Sequence, residues 1–125
     1  MDASARDLEL IGVIGSGQMG AGIAHVCAVA GLDVMLVDTT LERATAGRAT
    51  VEKLLGKQVE KGKLSAAERD ATMGRIRPVS SIEELGAASV VVEAATEDRD
   101  LKIALFKKAD DAMRRDAILA SNTSM

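Results

Sequence analysis

The stretch LELIGVIGSGQMG, from Leu8 to Gly20, decides how this sequence folds. Its first seven residues, Leu8 to Ile14, form a short apolar run that predicts a buried parallel strand. The run leads directly into the hexapeptide from Gly15 to Gly20, which has the spacing G-x-G-x-x-G. A helical pattern begins at Gln18, inside that hexapeptide. Strand, glycine loop and helix therefore follow one another without a break.

The first helix and the strand after it complete a repeating unit. The helical pattern runs from Gln18 to Ala30, Gly31 ends it like a C-cap, and its apolar side consists of Met19, Ile23, Val26 and Ala30. Asp33 to Val37 (DVMLV) predicts a second strand, which closes at Asp38. One strand, one helix and one strand in about 30 residues form a βαβ unit, whose crossover should be right-handed.

The middle of the chain predicts two further helices. A long helix starts near Thr40 and is broken at Gly62, and its apolar side consists of Leu41, Ala44, Val51, Leu54, Leu55 and Val59. Ser65 with Glu68 has the spacing of a capping box and predicts a helix that runs to about Gly74. This helical pair is longer than a crossover needs, so we expect part of it to project from the sheet.

The remaining elements continue the alternation of strands and helices. The predicted strands are 76–79, with Pro78 indicating an edge position, 89–93 and 117–120. Ser81 with Glu84 predicts a second capping box on a short helix, and a longer helix is predicted at 99–114. The sequence as a whole therefore predicts an α/β fold, a mostly parallel sheet with helices on both faces.

Composition sets the size and class of the molecule. The 125 residues fit one domain, 1–125, with one modest core. The net charge of −3 without a basic stripe, and the single aromatic residue Phe106, argue against nucleic-acid binding. Cys27 is the only cysteine, so neither an intrachain disulfide nor a zinc cluster is expected. The start resembles no signal peptide and no apolar run approaches the ~20 residues of a membrane span, so we expect a cytoplasmic protein.

The glycine loop predicts a binding site for a dinucleotide. Gly15 permits the tight turn, Gly17 lets a diphosphate approach the backbone, and Gly20 allows the helix to pack closely on the strand. The free N–H groups at the helix start, around Gln18 and Met19, then face the anion at the positive end of the helix dipole. The alternative is a plain turn without a ligand, but the strand–loop–helix–strand context favours the Rossmann type of dinucleotide site.

Asp38 predicts that the dinucleotide is NAD. It ends the second strand, 18 residues after Gly20, where a carboxylate can accept the hydroxyls of the adenosine ribose. A 2′-phosphate in that place is disfavoured, because two unit charges about 4 Å apart at a protein surface repel by about 4 kcal/mol. The alternative role for Asp38 is a loop or cap residue. No arginine follows at once, since Arg43 lies five residues further on.

Two segments at the carboxyl ends of later strands could face the reacting part of a ligand. The fourth strand runs out through Ala95 and Glu97, with Lys102 close behind, and the fifth runs out through Asn122 and Ser124. Small Ala95 would let a nicotinamide ribose lie against the loop. On residue type alone, Glu97 with Lys102 could equally be a surface ion pair, and the Asn122–Ser124 segment could cap a loop.

The strings GSGQMGAGIA, VVEAATE and ASNTS, together with Asp38, resemble the NAD-binding domain of 3-hydroxyacyl-CoA dehydrogenases, from about Glu9 to Ser124. The resemblance implies oxidation of the 3-hydroxyl of a 3-hydroxyacyl-CoA such as 3-hydroxybutyryl-CoA. It also implies residue roles: Asp38 on the adenosine ribose, Glu97 and Lys102 beside the nicotinamide half, Ser124 on the 3-oxygen of the substrate, and Lys61 on coenzyme A, where Lys57 or Lys63 could serve as well.

The sequence lacks a suitably placed general base. Its only histidine, His25, falls in the middle of the first helix, away from the reacting end. In the resembled family a catalytic histidine and a helical domain, which also forms the homodimer, follow the SNTS segment. We therefore expect this chain to be the NAD-binding part of a longer enzyme, inactive by itself. The alternatives are a β-hydroxyacid dehydrogenase of the 3-hydroxyisobutyrate type and a non-catalytic NAD-binding module.

Overall fold

A computed structural model gives the structure of the chain at residues 10–94, 107 and 118–121. Its strands are β1 (Leu10–Ile14), β2 (Asp33–Val37), β3 (Ile76–Val79), β4 (Val90–Glu93) and β5 (Ile118–Ser121). Its helices are α1 (Gln18–Val29), α2 (Leu41–Glu60) and α3 (Ala66–Gly74), with a 3-10 helix at Ile82–Ala87. The predicted helix 99–114 lies outside the described residues, except for Lys107, which is helical.

The five strands form one parallel sheet in the order β3-β2-β1-β4-β5. Ile14, at the end of β1, lies opposite Val37 of β2 and Glu93 of β4. The chain moves outward from β1 to β3 and then returns to the other side of β1. Ligands of such sheets bind beyond the carboxyl ends of the strands, at the point where this order reverses. Pro78 lies on the edge strand β3, as the sequence predicted.

Apolar side chains cover both faces of the sheet. On one face Val13 and Leu36, both fully buried, belong to a cluster that α1, α2 and α3 complete. On the other face Ile14 and Val37 pack with Leu85 of the 3-10 helix. Strands buried on both sides need continuous apolar sequences, which is why these segments read as unbroken apolar runs. The predicted α/β fold with a parallel sheet is confirmed.

Three of the four residues on the predicted apolar side of the first helix, Met19, Val26 and Ala30, are exposed, and only Ile23 packs against the core. Met19 is 57% exposed and Val26 is 70% exposed. The buried residues of α1 are instead small ones, Gly20, Ala21, Ala24 and Ala28. The helix lies so close to the strands that a Cβ atom on Gly20 would come within 1.6 Å of the Gly15 carbonyl oxygen. Close packing therefore selects small side chains on the inner side, and the larger Met19 and Val26 remain outside.

The second helix shows the same effect more mildly. Its buried residues are Ala44, Gly47, Val51 and Leu55, of which Ala44, Val51 and Leu55 belong to the predicted apolar side. Leu41 and Leu54, assigned to that side as well, are 51% and 43% exposed. The prediction missed Gly47, where a Cβ atom would lie 2.7 Å from the Ser16 carbonyl oxygen. This glycine lets α2 approach the glycine loop.

Three of the four helix ends that the sequence predicted at Gly31, Gly62, Ser65 and Ser81 have the predicted form. Ser65 and Glu68 form the predicted capping box at the start of α3. Gly31 and Gly62, both with positive φ, follow the C-caps of α1 and α2. Ser81 departs from the prediction, because its side chain accepts a hydrogen bond from the Glu83 amide and the segment forms a 3-10 helix. The tighter 3-10 turn brings the amide two residues ahead, not three, to the serine.

Candidate functional site

The glycine loop connects β1 to α1 by a tight turn. Gly15 has a φ of 104°, which a residue with a side chain rarely adopts. Its amide donates to the Val37 carbonyl at 2.7 Å and ties the loop to the end of β2. Gly20 packs directly against Gly15, as the contact of its virtual Cβ atom shows. The loop is therefore held against the strands by its backbone.

The first turn of α1 presents its backbone to an open space. Gly17 is the N-cap, has an extended backbone, and makes no side-chain capping hydrogen bond. A Cβ atom built on Gly17 would meet nothing within 4 Å, and the first turn contains no acidic side chain. Gln18 and Met19 are exposed beside it. Uncapped amides at the positive end of a helix dipole suit a diphosphate group.

Asp38 lies at the end of β2 and is hydrogen-bonded to the glycine loop. Its Oδ2 accepts from the Ser16 amide at 2.8 Å and from the Ser16 hydroxyl at 2.5 Å. Its Oδ1 accepts from the Thr39 amide at 2.6 Å and from the Thr39 hydroxyl at 3.3 Å. These bonds fix the carboxylate next to the loop, which is the place where an adenosine ribose lies in dinucleotide sites.

The same hydrogen bonds keep Asp38 charged. Partial burial raises the pKa of its carboxyl, but the bonds from the Ser16 side chain and amide, and from Thr39, outweigh that effect and hold the pKa below its ordinary value. Asp38 is therefore ionised throughout the physiological pH range. An ionised carboxylate donates no hydrogen bond and accepts several, which is what a ribose diol requires.

A cavity opens between the glycine loop and the start of α2. Its lining contains Ser16, Gly17, Gln18, Ala21, Asp38, Arg43, Ala46, Gly47 and Thr50. The loop amides and the Asp38 carboxylate thus lie on one concave surface. A dinucleotide fits this set of groups, because the amides suit a diphosphate and the carboxylate suits a ribose.

Two residues at the carboxyl ends of the strands and the loop beside them received no role in the sequence analysis. Ser16, which is 8% exposed, lies between Asp38 and the Arg43 carbonyl, and its hydroxyl is within hydrogen-bond distance of both acceptors. Its position is one of the variable places of G-x-G-x-x-G, and the motif carries no signal for it. Glu93 is fully buried at the carboxyl end of β4, beside the end of β1. A glutamate that ends an apolar strand is the signal that could have singled it out.

The other predicted residues lie apart or outside the described part of the chain. Lys61 is exposed at the C-cap of α2, and Lys57 and Lys63 are exposed nearby. His25 is half-buried on α1. Cys27, on the same helix, packs against the core, and burial raises the pKa of its thiol. Five predicted site residues lie outside the described residues: Ala95, Glu97, Lys102, Asn122 and Ser124.

The described ranges, 10–94, 107 and 118–121, contain neither a metal-binding cluster nor a membrane-spanning helix. In these ranges no three His, Cys, Asp or Glu side chains come together in a way that could hold a metal ion. Nor do the same ranges contain a helix with the length and apolar character needed to cross a membrane.

The parallel sheet, the glycine loop at its reversal point and the acidic residue ending β2 define a Rossmann-type dinucleotide-binding domain. The chain belongs to the family of 3-hydroxyacyl-CoA dehydrogenase NAD-binding domains, which it matches over residues 10–125. The predicted family and its cofactor, NAD, are confirmed.

Relatives of known function agree with this assignment. The fatty acid oxidation complex subunit alpha of Pseudomonas aeruginosa is 40% identical over 123 residues, 98% of this chain and 17% of the relative. The solved (S)-3-hydroxybutyryl-CoA dehydrogenase of Ralstonia eutropha is 40% identical with a TM-score of 0.91, over 94% of this chain and 41% of that one. The 3-hydroxybutyryl-CoA dehydrogenase of Escherichia coli K12 is 39% identical with a TM-score of 0.90, over 94% and 25%. This chain spans less than half the length of each.

Proposed function

We propose that this chain binds NAD, with the diphosphate on the amides at the start of α1 and the adenosine ribose on Asp38. The observation that carries the proposal is the carboxylate of Asp38, which the Ser16 amide holds at 2.8 Å beside the open first turn of α1. The site prefers NAD to NADP, because an ionised carboxylate repels a 2′-phosphate. Arg43 lines the same cavity, although the sequence placed no arginine directly after Asp38, and the NAD to NADP affinity ratio tests whether its charge offsets that repulsion.

We further propose that the domain serves an enzyme that oxidises the 3-hydroxyl of a 3-hydroxyacyl-CoA to the 3-oxo group. Bound NAD supplies the acceptor for the hydride from C3. Ala95, Glu97, Lys102 and Asn122 form the nicotinamide side of the cofactor site, and Ser124 donates a hydrogen bond to the 3-oxygen of the substrate. Support comes from family membership and from relatives that are 3-hydroxybutyryl-CoA dehydrogenases.

Lys61 is proposed to contact the coenzyme A moiety. The 20 residues of α2 span about 30 Å, so the lysine at its end lies far from Asp38 at its start. A cationic group there can pair with a phosphate of coenzyme A without competing for the adenosine half of NAD. Lys57 and Lys63 have the same exposure and could share the role.

The proposal extends to the setting of the domain. We assign residues 1–125 to one NAD-binding domain of a longer, cytoplasmic enzyme that forms a homodimer. The greater length of the relatives supports the assignment of this chain to one part of a longer enzyme, and we propose that this part is the N-terminal one.

Calorimetry with NAD and NADP tests the cofactor site. Asp38→Ala should weaken NAD binding about tenfold or more, since two hydrogen bonds to a charged group are lost, and should narrow the NAD to NADP affinity ratio. Asp33→Ala is the matched control, because Asp33 is an exposed aspartate at the opposite end of the same strand. An unchanged affinity ratio in Asp38→Ala would remove Asp38 from the ribose site, and no NAD binding by the folded wild-type chain would refute the proposal.

A further inference from the structure

The carboxylate of Asp38 already has a full set of hydrogen-bond donors. An ionised carboxylate offers about four acceptor positions. Two are taken on Oδ2, by the amide and hydroxyl of Ser16, and two on Oδ1, by the amide and hydroxyl of Thr39. A ribose diol brings two more donors to the same group. Some of the present donors must therefore leave when a ribose binds.

The two amides cannot leave, because the backbone fixes their direction. The two hydroxyls can turn about their side-chain bonds. Thr39 is exposed and its hydroxyl bond to Oδ1 is long, at 3.3 Å, so water can replace it readily. Ser16 is buried, and a buried hydroxyl that loses its acceptor is costly unless another acceptor is within reach.

Ser16 has such a second acceptor. Its hydroxyl lies 2.8 Å from the Arg43 carbonyl oxygen in α2 and 2.5 Å from Asp38 Oδ2. One hydroxyl carries one proton, so it can donate to only one of these oxygens at a time. Because both distances are within hydrogen-bond range, the hydroxyl can change its acceptor by rotating about the Cβ–Oγ bond, and its proton stays on Oγ throughout.

We propose that Ser16 is a positioning residue that holds Asp38 through its hydroxyl in the free protein and turns that hydroxyl to the Arg43 carbonyl when a ribose hydroxyl takes its place on Oδ2. This inference rests on the proposed role of Asp38 at the ribose. This change of acceptor by the Ser16 hydroxyl, called the hand-over below, leaves the carboxylate fixed by the Ser16 amide in both the free and the NAD-bound state. It also keeps the buried hydroxyl bonded in both states, so the exchange is nearly balanced.

The proposal makes the pKa of Asp38 a reporter of where the Ser16 hydroxyl points. The charged groups around Asp38 do not change between the variants. Among the described residues, Arg43 on α2 lines the cavity with it, Glu42 in the same turn is exposed, and the loop side contributes only uncharged residues. Any difference in the pKa of Asp38 between wild type and Ser16→Ala then reports the hydroxyl bond itself.

The experiment follows the Asp38 carboxyl carbon by NMR against pH, in the free chain and in the chain saturated with NAD. In the free chain Ser16→Ala should raise the pKa of Asp38 by about one unit, because a donor to its charged form is lost. In the NAD complex the two proteins should show the same pKa, because the hydroxyl there bonds the Arg43 carbonyl. NAD affinity at neutral pH should change less than about threefold, since one hydroxyl bond is lost in each state.

The matched control is Ser89→Ala, which removes another buried hydroxyl that donates to a backbone carbonyl, that of Leu10 at 3.0 Å. It should leave the pKa of Asp38 unchanged in both states. Ser16→Cys, which keeps the shape with a weaker donor, gives the same direction of shift if the alanine variant does not fold.

The outcomes separate this inference from the proposed function. An unchanged pKa in free Ser16→Ala, or a difference that persists in the NAD complex, overturns the hand-over. A tenfold loss of NAD affinity at neutral pH in Ser16→Ala also overturns it, because Ser16 would then bind the nucleotide directly. If Asp38→Ala binds NAD as wild type does, the ribose role of Asp38 fails, and the hand-over fails with it for that separate reason.

Discussion

At the scale of single residues, the glycine loop shows which positions tolerate a side chain. Gly20 and Gly22 lie only two residues apart in α1, but the space around them differs. A Cβ atom on Gly20 would lie 1.6 Å from the Gly15 carbonyl oxygen, whereas a Cβ atom on Gly22 would meet nothing within 4 Å. The first contact is with backbone, which cannot turn aside as a side chain can.

We therefore expect opposite effects from two alanine substitutions. Gly20→Ala should lower the free energy of unfolding by about 2 kcal/mol or more and weaken NAD binding, because α1 must move off the loop. Gly22→Ala should raise stability by about 0.5–1 kcal/mol through helix propensity and leave NAD binding unchanged. Urea unfolding and calorimetry measure both effects. Equal stability of the two variants would contradict the packing role given to Gly20.

The sequence located the carboxylate of this site but not the residue that holds it. Asp38 could be predicted because a strand end after a glycine loop is a defined place in the fold. Ser16 could not, because its importance comes from two acceptors that lie 22 and 27 residues away in the chain. Such a long-range pair leaves no local spacing pattern.

For the helices, the inner faces of α1 and α2 explain why the apolar periodicity assigned some exposed residues to the buried side. Periodicity of large apolar residues predicts a buried face when the helix packs through large side chains. Here α1 packs through glycine and alanine, so the large residues Met19 and Val26 lie on the outside. The positions of the helices themselves were predicted well, because glycine breaks and the Ser65 capping box are local signals.

Arg48 fastens α2 to the junction between α3 and β3. Its Nε donates to the Ile76 carbonyl and its Nη2 to the Met73 carbonyl, both at 2.9 Å. Arg48→Met should lower the free energy of unfolding by about 1–3 kcal/mol, because two charge-assisted hydrogen bonds are lost and two carbonyls lose a donor.

Arg69→Met is the matched control for Arg48→Met. Arg69 also lies on a helix, but it pairs at 3.1 Å with its exposed neighbour Asp70, and such surface pairs contribute about 0–1 kcal/mol. Urea unfolding of both variants measures the difference. A loss in Arg69→Met as large as that in Arg48→Met would show that the interior bonds of Arg48 have no special weight.

For the whole molecule, the sequence predicted the fold class correctly, an α/β fold with a parallel sheet. The alternation of strands and helices, with right-handed crossovers, leaves few arrangements of a parallel sheet, and the order β3-β2-β1-β4-β5 is one of them. That order brings the end of β1 beside the ends of β2 and β4, and so assembles Gly15, Asp38 and Glu93 at one edge. Topology thus supplied what the local patterns could not.

The same topology bears on whether the 125-residue polypeptide can catalyse the proposed oxidation. Removing the proton of the 3-hydroxyl calls for a base that titrates near neutral pH, and histidine is suited to this. The single histidine of the sequence, His25, is seven residues along α1 from Gln18, about 10 Å from the end that faces the diphosphate site.

We expect the polypeptide to bind NAD and yet to form almost no NADH from 3-hydroxybutyryl-CoA. Absorbance at the NADH band measures this, with Escherichia coli 3-hydroxybutyryl-CoA dehydrogenase as the positive control. Steady NADH formation that Asp38→Ala abolishes would contradict the expectation and show that a group other than histidine takes the proton.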